Sequence, residues 1–320
     1  MRAKWLAACV VLGLACAAQA APLDIKQVPA GATWVVHVDV DAIRASTVAQ
    51  KAYAQCLEKH KDRVEVALEL IKRTVGMDLC KDLHGLTAYG PKVGQEKGVL
   101  LVFANFDQQM LGKLVKLAPD FKTTKHGQYT IGSWTHKDRR GPRPAAGAFW
   151  KPGVTVLSGT VPDVELALDV LDGKKPSLPG KVEIPAGATV AARAWGLANV
   201  ELPGKCPLPK QIEEFCFAMG ENEGQSFLMA QVKTKSPDVA QDIAKIIEGG
   251  KALAGLRHLG DAAAAKIIDQ FKVSASDNTV KIDFHAPAAD VWAHLQKVIK
   301  DVKHMHGHHA KPPAKHEGKK

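Results

Sequence analysis

Five of the thirteen histidines fall in the last seventeen residues, as His304, His306, His308, His309 and His316. Neutral imidazole is a good ligand for Zn2+, Cu2+ or Ni2+, and a flexible chain can bring several rings to one ion. His304, His306, His308 and His309 are therefore the candidate metal ligands. Zn, Cu or Ni is the only cofactor that the sequence suggests. The surrounding lysines and Pro312-Pro313 equally describe a solvated basic tail with incidental metal affinity.

Cysteine is the second reactive type. Cys9 and Cys16 lie in the leader, which leaves Cys56, Cys80, Cys206 and Cys216. Four cysteines in an exported chain suggest disulfides, with three possible connectivities. Cys56–Cys80 and Cys206–Cys216 is the simplest, and buried free thiols are the alternative. Their spacing matches no zinc pattern.

Two further groups carry charge chemistry. His37 and Asp39 share one face of a strand and could form an acid–base pair, as in an unrecognised hydrolase. The alternative is a solvated face, with Asp39 or Asp41 capping the next helix. Lys137, Arg139, Arg140 and Arg143 crowd the stretch His136 to Arg143 and could grip an anion; an ordinary solvated hairpin tip explains them as well. No phosphate-binding glycine loop, metalloprotease helix, nucleophile elbow or dinucleotide fingerprint occurs, so no catalytic residue is assigned.

The elements that must position these groups begin after a leader. Arg2 and Lys4, an apolar run from Trp5 to Ala18, and Ala18-Gln19-Ala20 describe a signal peptide over residues 1–20. An anchor through Cys16 is the weaker reading, because Gly13 stands where a lipoprotein box usually has Leu. No later stretch is apolar enough to span a bilayer as a helix. The expected location is periplasmic or extracellular.

Net charge is +10, and losing Arg2 and Lys4 leaves +8, half of it contributed by the stretch from Lys300 onward. The remaining chain is only mildly basic, which argues against a dedicated nucleic-acid surface. Partners are otherwise unknown.

One pentapeptide occurs twice. Pro29-Ala30-Gly31-Ala32-Thr33 returns as Pro185-Ala186-Gly187-Ala188-Thr189, each time ahead of a β-branched, strand-like run. Ala88-Tyr89-Gly90 and Asp163 find counterparts in Ala218-Met219-Gly220 and Asp290, in the same order. The pattern predicts α+β architecture, with two tandem diverged repeats over 21–176 and 185–302 and mostly antiparallel sheets. A linker over 177–184 joins them, and a disordered tail covers 303–320. Helical spacing covers Ala42 to Val75, with a break at Glu58 to Asp62 and a cap at Gly76. Trp34, Val36, Val38 and Val40 form the expected apolar face of the first strand.

The leader, followed by P-A-G-A-T-W-V-V-H-V-D-V-D-A-I-R-A-S and G-M-D-L-C-K-D-L-H-G-L-T-A-Y-G, resembles a group of uncharacterised exported proteins of planctomycete-type bacteria. Those motifs are structural turns and imply no activity. The sequence therefore points to an exported protein acting as a non-enzymatic binding or structural module. Metal sequestration through the tail and an unrecognised hydrolase are the alternatives.

Overall fold

A computed structural model describes residues 23–93, 97–138, 141–180, 183–195, 197 and 208–307. The leader, Arg139, Arg140, Cys206 and the chain from His308 onward lie outside them.

The first half contributes β1 (Trp34–Asp39), α1 (Val40–Ala45), α2 (Thr47–Val75), α3 (Leu79–Asp82), β2 (Leu83–Gly90) and β3 (Val99–Ala104). It continues with α4 (Gln108–Val115), β4 (Lys122–His126), β5 (Tyr129–Asp138), β6 (Gly141–Lys151), β7 (Val154–Ser158) and α5 (Val161–Leu171). The second half holds β8 (Ala188–Trp195), β9 (Ile212–Asn222), β10 (Gln225–Thr234), α6 (Pro237–Arg257), α7 (Ala262–Asp269), β11 (Lys272–Ser276), β12 (Thr279–Pro287) and α8 (Ala288–Gly307).

The fold is α+β. Among the described residues, twelve strands join one antiparallel sheet in the order β11-β12-β10-β9-β8-β1-β2-β3-β7-β6-β5-β4. β1 and β8 pair at its centre, with His37 opposite Ala191. The two halves thus share a sheet, and the segment between them is held to it. Leu178 is buried and its amide donates to the Val28 carbonyl at 2.8 Å.

The repeated pentapeptide closes the same backbone hydrogen bond twice, although Gly187 is left-handed (φ 77°) and Gly31 is not. The Ala32 amide donates to the Pro29 carbonyl at 2.9 Å, and the Ala188 amide to the Pro185 carbonyl at 3.2 Å. Each turn feeds one strand of the central β1–β8 pair.

Local signals set the helices. Gly76 caps α2 at φ 71°, where a left-handed residue closes the last turn. α2 is kinked at His60 (φ −139°), inside the polar stretch that the sequence marks as a break. Thr160 caps α5, accepting from the Asp163 amide at 3.3 Å, and Ser236 caps α6. α6 runs unbroken through Gly249-Gly250, and α8 continues as far as Gly307, beyond the expected start of the tail. Lys137 and Arg143 lie on the β5–β6 hairpin, whose strands extend to Asp138 and Gly141 and pair His136 with Arg143.

The main core lies between α5 and one sheet face. Val164, Ala167 and Leu168 pack on Val35, Tyr89, Leu101 and Val156. This corrects the expected polarity of β1. Val35 and His37 point into the tight core under α5, while Trp34, Val36 and Val38 are only half-buried on the other face. In the second half α6 covers that other face, packing Ala240 and Ile243 on Val232 and Val280. α7 and α8 lie beside α6, linked by a Lys266–Asp290 ion pair at 2.7 Å.

Candidate binding groove on the sheet

One register row crosses the whole sheet and changes character midway. From the centre outward through the first half it reads Val35, Tyr89, Val99, Ser158 and Ala146. Val35, Tyr89, Val99 and Ala146 are buried under the α5 side. Through the second half the same row reads Arg193, Cys216, Gln231, Lys281 and Ser274. Successive strands lie about 4.8 Å apart, so these side chains form an evenly spaced polar ladder.

α5 does not reach that half. The groove it leaves, of about 810 Å3, is lined by β8, β9, β10 and β12 and by the segment from Glu183 to Pro185. Ile184 and Met229 supply apolar surface on its walls, and Asp283 an acidic group.

The polar atoms of the groove are partly locked. Arg193 donates to the Glu214 carboxylate, and its guanidinium lies 4.8 Å from the Trp195 ring centroid. The Cys216 thiol donates to the same carboxylate at 3.2 Å. Burial, and then the Glu214 bond and charge, push the thiol up to about 12, against a smaller opposing pull from Arg193. A thiol so protonated is a donor and not a nucleophile. Gln231 and Lys281 remain exposed and point along the open part of the ladder.

The other sequence candidates fall elsewhere. His37 is buried, with Nδ1 2.8 Å from the Thr87 hydroxyl and Nε2 without a hydrogen-bond partner among the described residues. Burial lowers its pKa, more strongly than the Asp39 charge raises it. Asp39 accepts from the Ala42 amide at 2.8 Å and caps α1. The pair is therefore split between a core position and a helix cap, and the solvated face expected for it is a buried one.

Cys56, Cys80 and Cys216 are free thiols, the first two exposed, and Cys206 lies outside the described residues. His304 and His306 occupy the last turns of α8, and His308 and His309 lie outside the described residues. Among the described residues, no three His, Cys, Asp or Glu side chains are grouped to hold a metal. Nor is any helix among them long and apolar enough to cross a membrane.

A polar chain that motif reading misses lies at the far end of β1. His84 Nδ1 is 3.0 Å from the Asp41 carboxylate, and its Nε2 accepts from the Asn105 side-chain amide at 2.8 Å. Arg44 donates to Asp41 and to the Leu83 carbonyl. The relay ends in an amide and presents no nucleophile. It ties α1 to β2 and to the exit of β3.

No family model and no curated protein matches the chain. Among solved structures, crystal form I of TP0453 is similar at 9% identity, covering 87% of this chain and 99% of that one, with a TM-score of 0.46. Crystal form III of TP0453 is similar at 10% identity, covering 86% and 98%, with a TM-score of 0.48. Both scores are too low for the likeness to carry an argument.

Proposed function

We propose that this chain is an exported, non-enzymatic binding module, and that the open sheet face of its second half is the binding surface. The register row that passes from Val35 to Arg193 supports this reading. The same sheet face that forms the main core in one half is left in the other as an open, largely apolar groove crossed by a polar row. A groove with a few convergent polar groups on a rigid floor is the usual form of a binding site. Its potential nucleophile is held protonated by the Glu214 carboxylate, which Arg193 also engages, and this favours recognition over turnover.

We also read the two halves as diverged copies. The twin Pro–Ala turns and the central β1–β8 pairing support this. In that reading the first copy keeps its α5 face as core, and the second frees the equivalent face for a partner.

A comparative pull-down from the native envelope fraction tests the proposal. Wild type and Gln231→Trp, which fills the groove from an exposed position, serve as parallel baits. Capture by wild type that is lost with the filled groove is the expected result. Identical capture by both baits overturns the assignment of the surface. Turnover in a broad substrate screen that Gln231→Trp abolishes overturns the non-enzymatic reading.

A further inference from the structure

Two exposed cysteines on different elements flank one tyrosine. The Cys80 sulfur, in α3, lies 3.9 Å from the Tyr53 hydroxyl of α2. Cys56 follows Tyr53 by three residues, which places it one turn along the same side of α2. Both cysteines and Tyr53 are exposed. The phenol pKa is raised by its bond to Cys80 first, then by burial, and also by the charge of Cys80 and Cys56. Both sulfurs therefore belong to the neighbourhood of one side chain.

α2 has a use for a tether. It is 29 residues long, it buries none of its side chains, and it is kinked at His60 between the two thiols. Its first turn is capped from β9, and it packs against α8. A bond from Cys56 to Cys80 would enclose the kink and the whole C-terminal part of the helix.

We propose that Cys56 and Cys80 are a disulfide-forming pair, a redox-controlled staple between α2 and α3. The oxidant is a disulfide of the glutathione class. One cysteine thiolate attacks the oxidant's S–S bond, forming a mixed disulfide and releasing one glutathione thiolate. The second cysteine thiolate attacks the protein sulfur of that mixed disulfide and releases the other glutathione. Two protein thiols are oxidised, one oxidant disulfide is reduced to two thiols, and the two thiol protons pass to solvent or to the released thiolates. Tyr53, exposed, rotates out of the gap, and the His60 kink lets α2 close onto α3 to the ~6 Å Cα separation a disulfide needs.

The test is oxidation of the full chain with oxidised glutathione, followed by intact mass and an unreduced proteolytic digest. The expected product has lost about 2 Da per staple and yields a peptide joining Cys56 to Cys80. In Cys56→Ser the partner cysteine instead retains a glutathione adduct, and Cys80→Ser behaves reciprocally. Serine suits both exposed positions, so folding is not at stake. Amide exchange from Leu57 to Val75 should slow by about tenfold or more in the oxidised form. Glutathione retained on both cysteines of the wild type, a cross-link between two chains, or unchanged exchange along α2 would overturn the proposal.

Discussion

The Glu221 carboxylate, on β9 of the second half, accepts the Thr47 amide of the first half at 3.0 Å. It also accepts the Ser46 hydroxyl at 2.9 Å and the Val48 amide at 3.2 Å. These groups open α2, whose first-turn donors have no partner within the helix. A residue 174 positions away thus caps the longest helix of the fold. Negative charge at a helix N-terminus also meets the favourable end of the macrodipole.

Glu221→Ala should lower stability by about 1–2 kcal/mol and speed amide exchange in the first turn of α2. Burial works to raise the Glu221 pKa, and the bonds from Thr47, Val48 and Ser46 outweigh it, so the folded value is lowered. The contribution is therefore present above the unfolded value, about 4.3, and is lost as pH falls through the folded one. Urea melts of wild type and variant should differ at pH 7 and converge toward pH 3. A gap that persists in acid would show that the carboxylate charge is not what matters.

The two pentapeptide glycines should respond unequally to substitution. Gly187 sits at φ 77°, and a Cβ on it would lie 2.1 Å from the Glu221 carbonyl oxygen. Because that neighbour is backbone, Gly187→Ala must push the turn off β9, at a cost of about 2–4 kcal/mol. Gly31, in the first copy, has nothing within 4 Å and no positive φ. Gly31→Ala should stay within about 0.5 kcal/mol of wild type. Thermal unfolding of the two variants reads this directly, and equal losses would refute the asymmetry.

His37 should make stability depend on pH in the neutral range. Its folded pKa is lowered by burial, so the unfolded chain takes up a proton first, near pH 6.5. Stability from this position is full above that value and falls as pH drops toward the folded pKa. His37→Leu should cost about 1 kcal/mol at pH 8, where the Thr87 hydroxyl loses its partner. The difference should shrink toward pH 5. Melts at both pH values measure it, and a constant difference would contradict a buried, neutral imidazole.

The chain by itself determined the local pieces. Thr160 before Asp163, Ser236 before Pro237, Gly76 after Val75 and Asp277-Asn278 between alternating runs each fix a cap or a turn through interactions within a few residues. The α+β class follows from hairpins that pair locally. The kink of α2 lies where Glu58 to Asp62 interrupts the apolar spacing.

Only the tertiary structure decided which face of each strand is inside. β1 alternates cleanly, yet its buried face is the one carrying His37, because α5 returns from more than 120 residues later to cover it. No local signal states that α5 packs on the strands of the first half alone, so the groove over Arg193, Cys216, Gln231 and Lys281 was not legible. The caps that join distant elements were equally hidden. Glu221 over Thr47, and Asn105 against His84, pair residues whose spacing carries no motif. Periodicity reports how a segment alternates, whereas the partner that buries one of its faces is set by long-range packing.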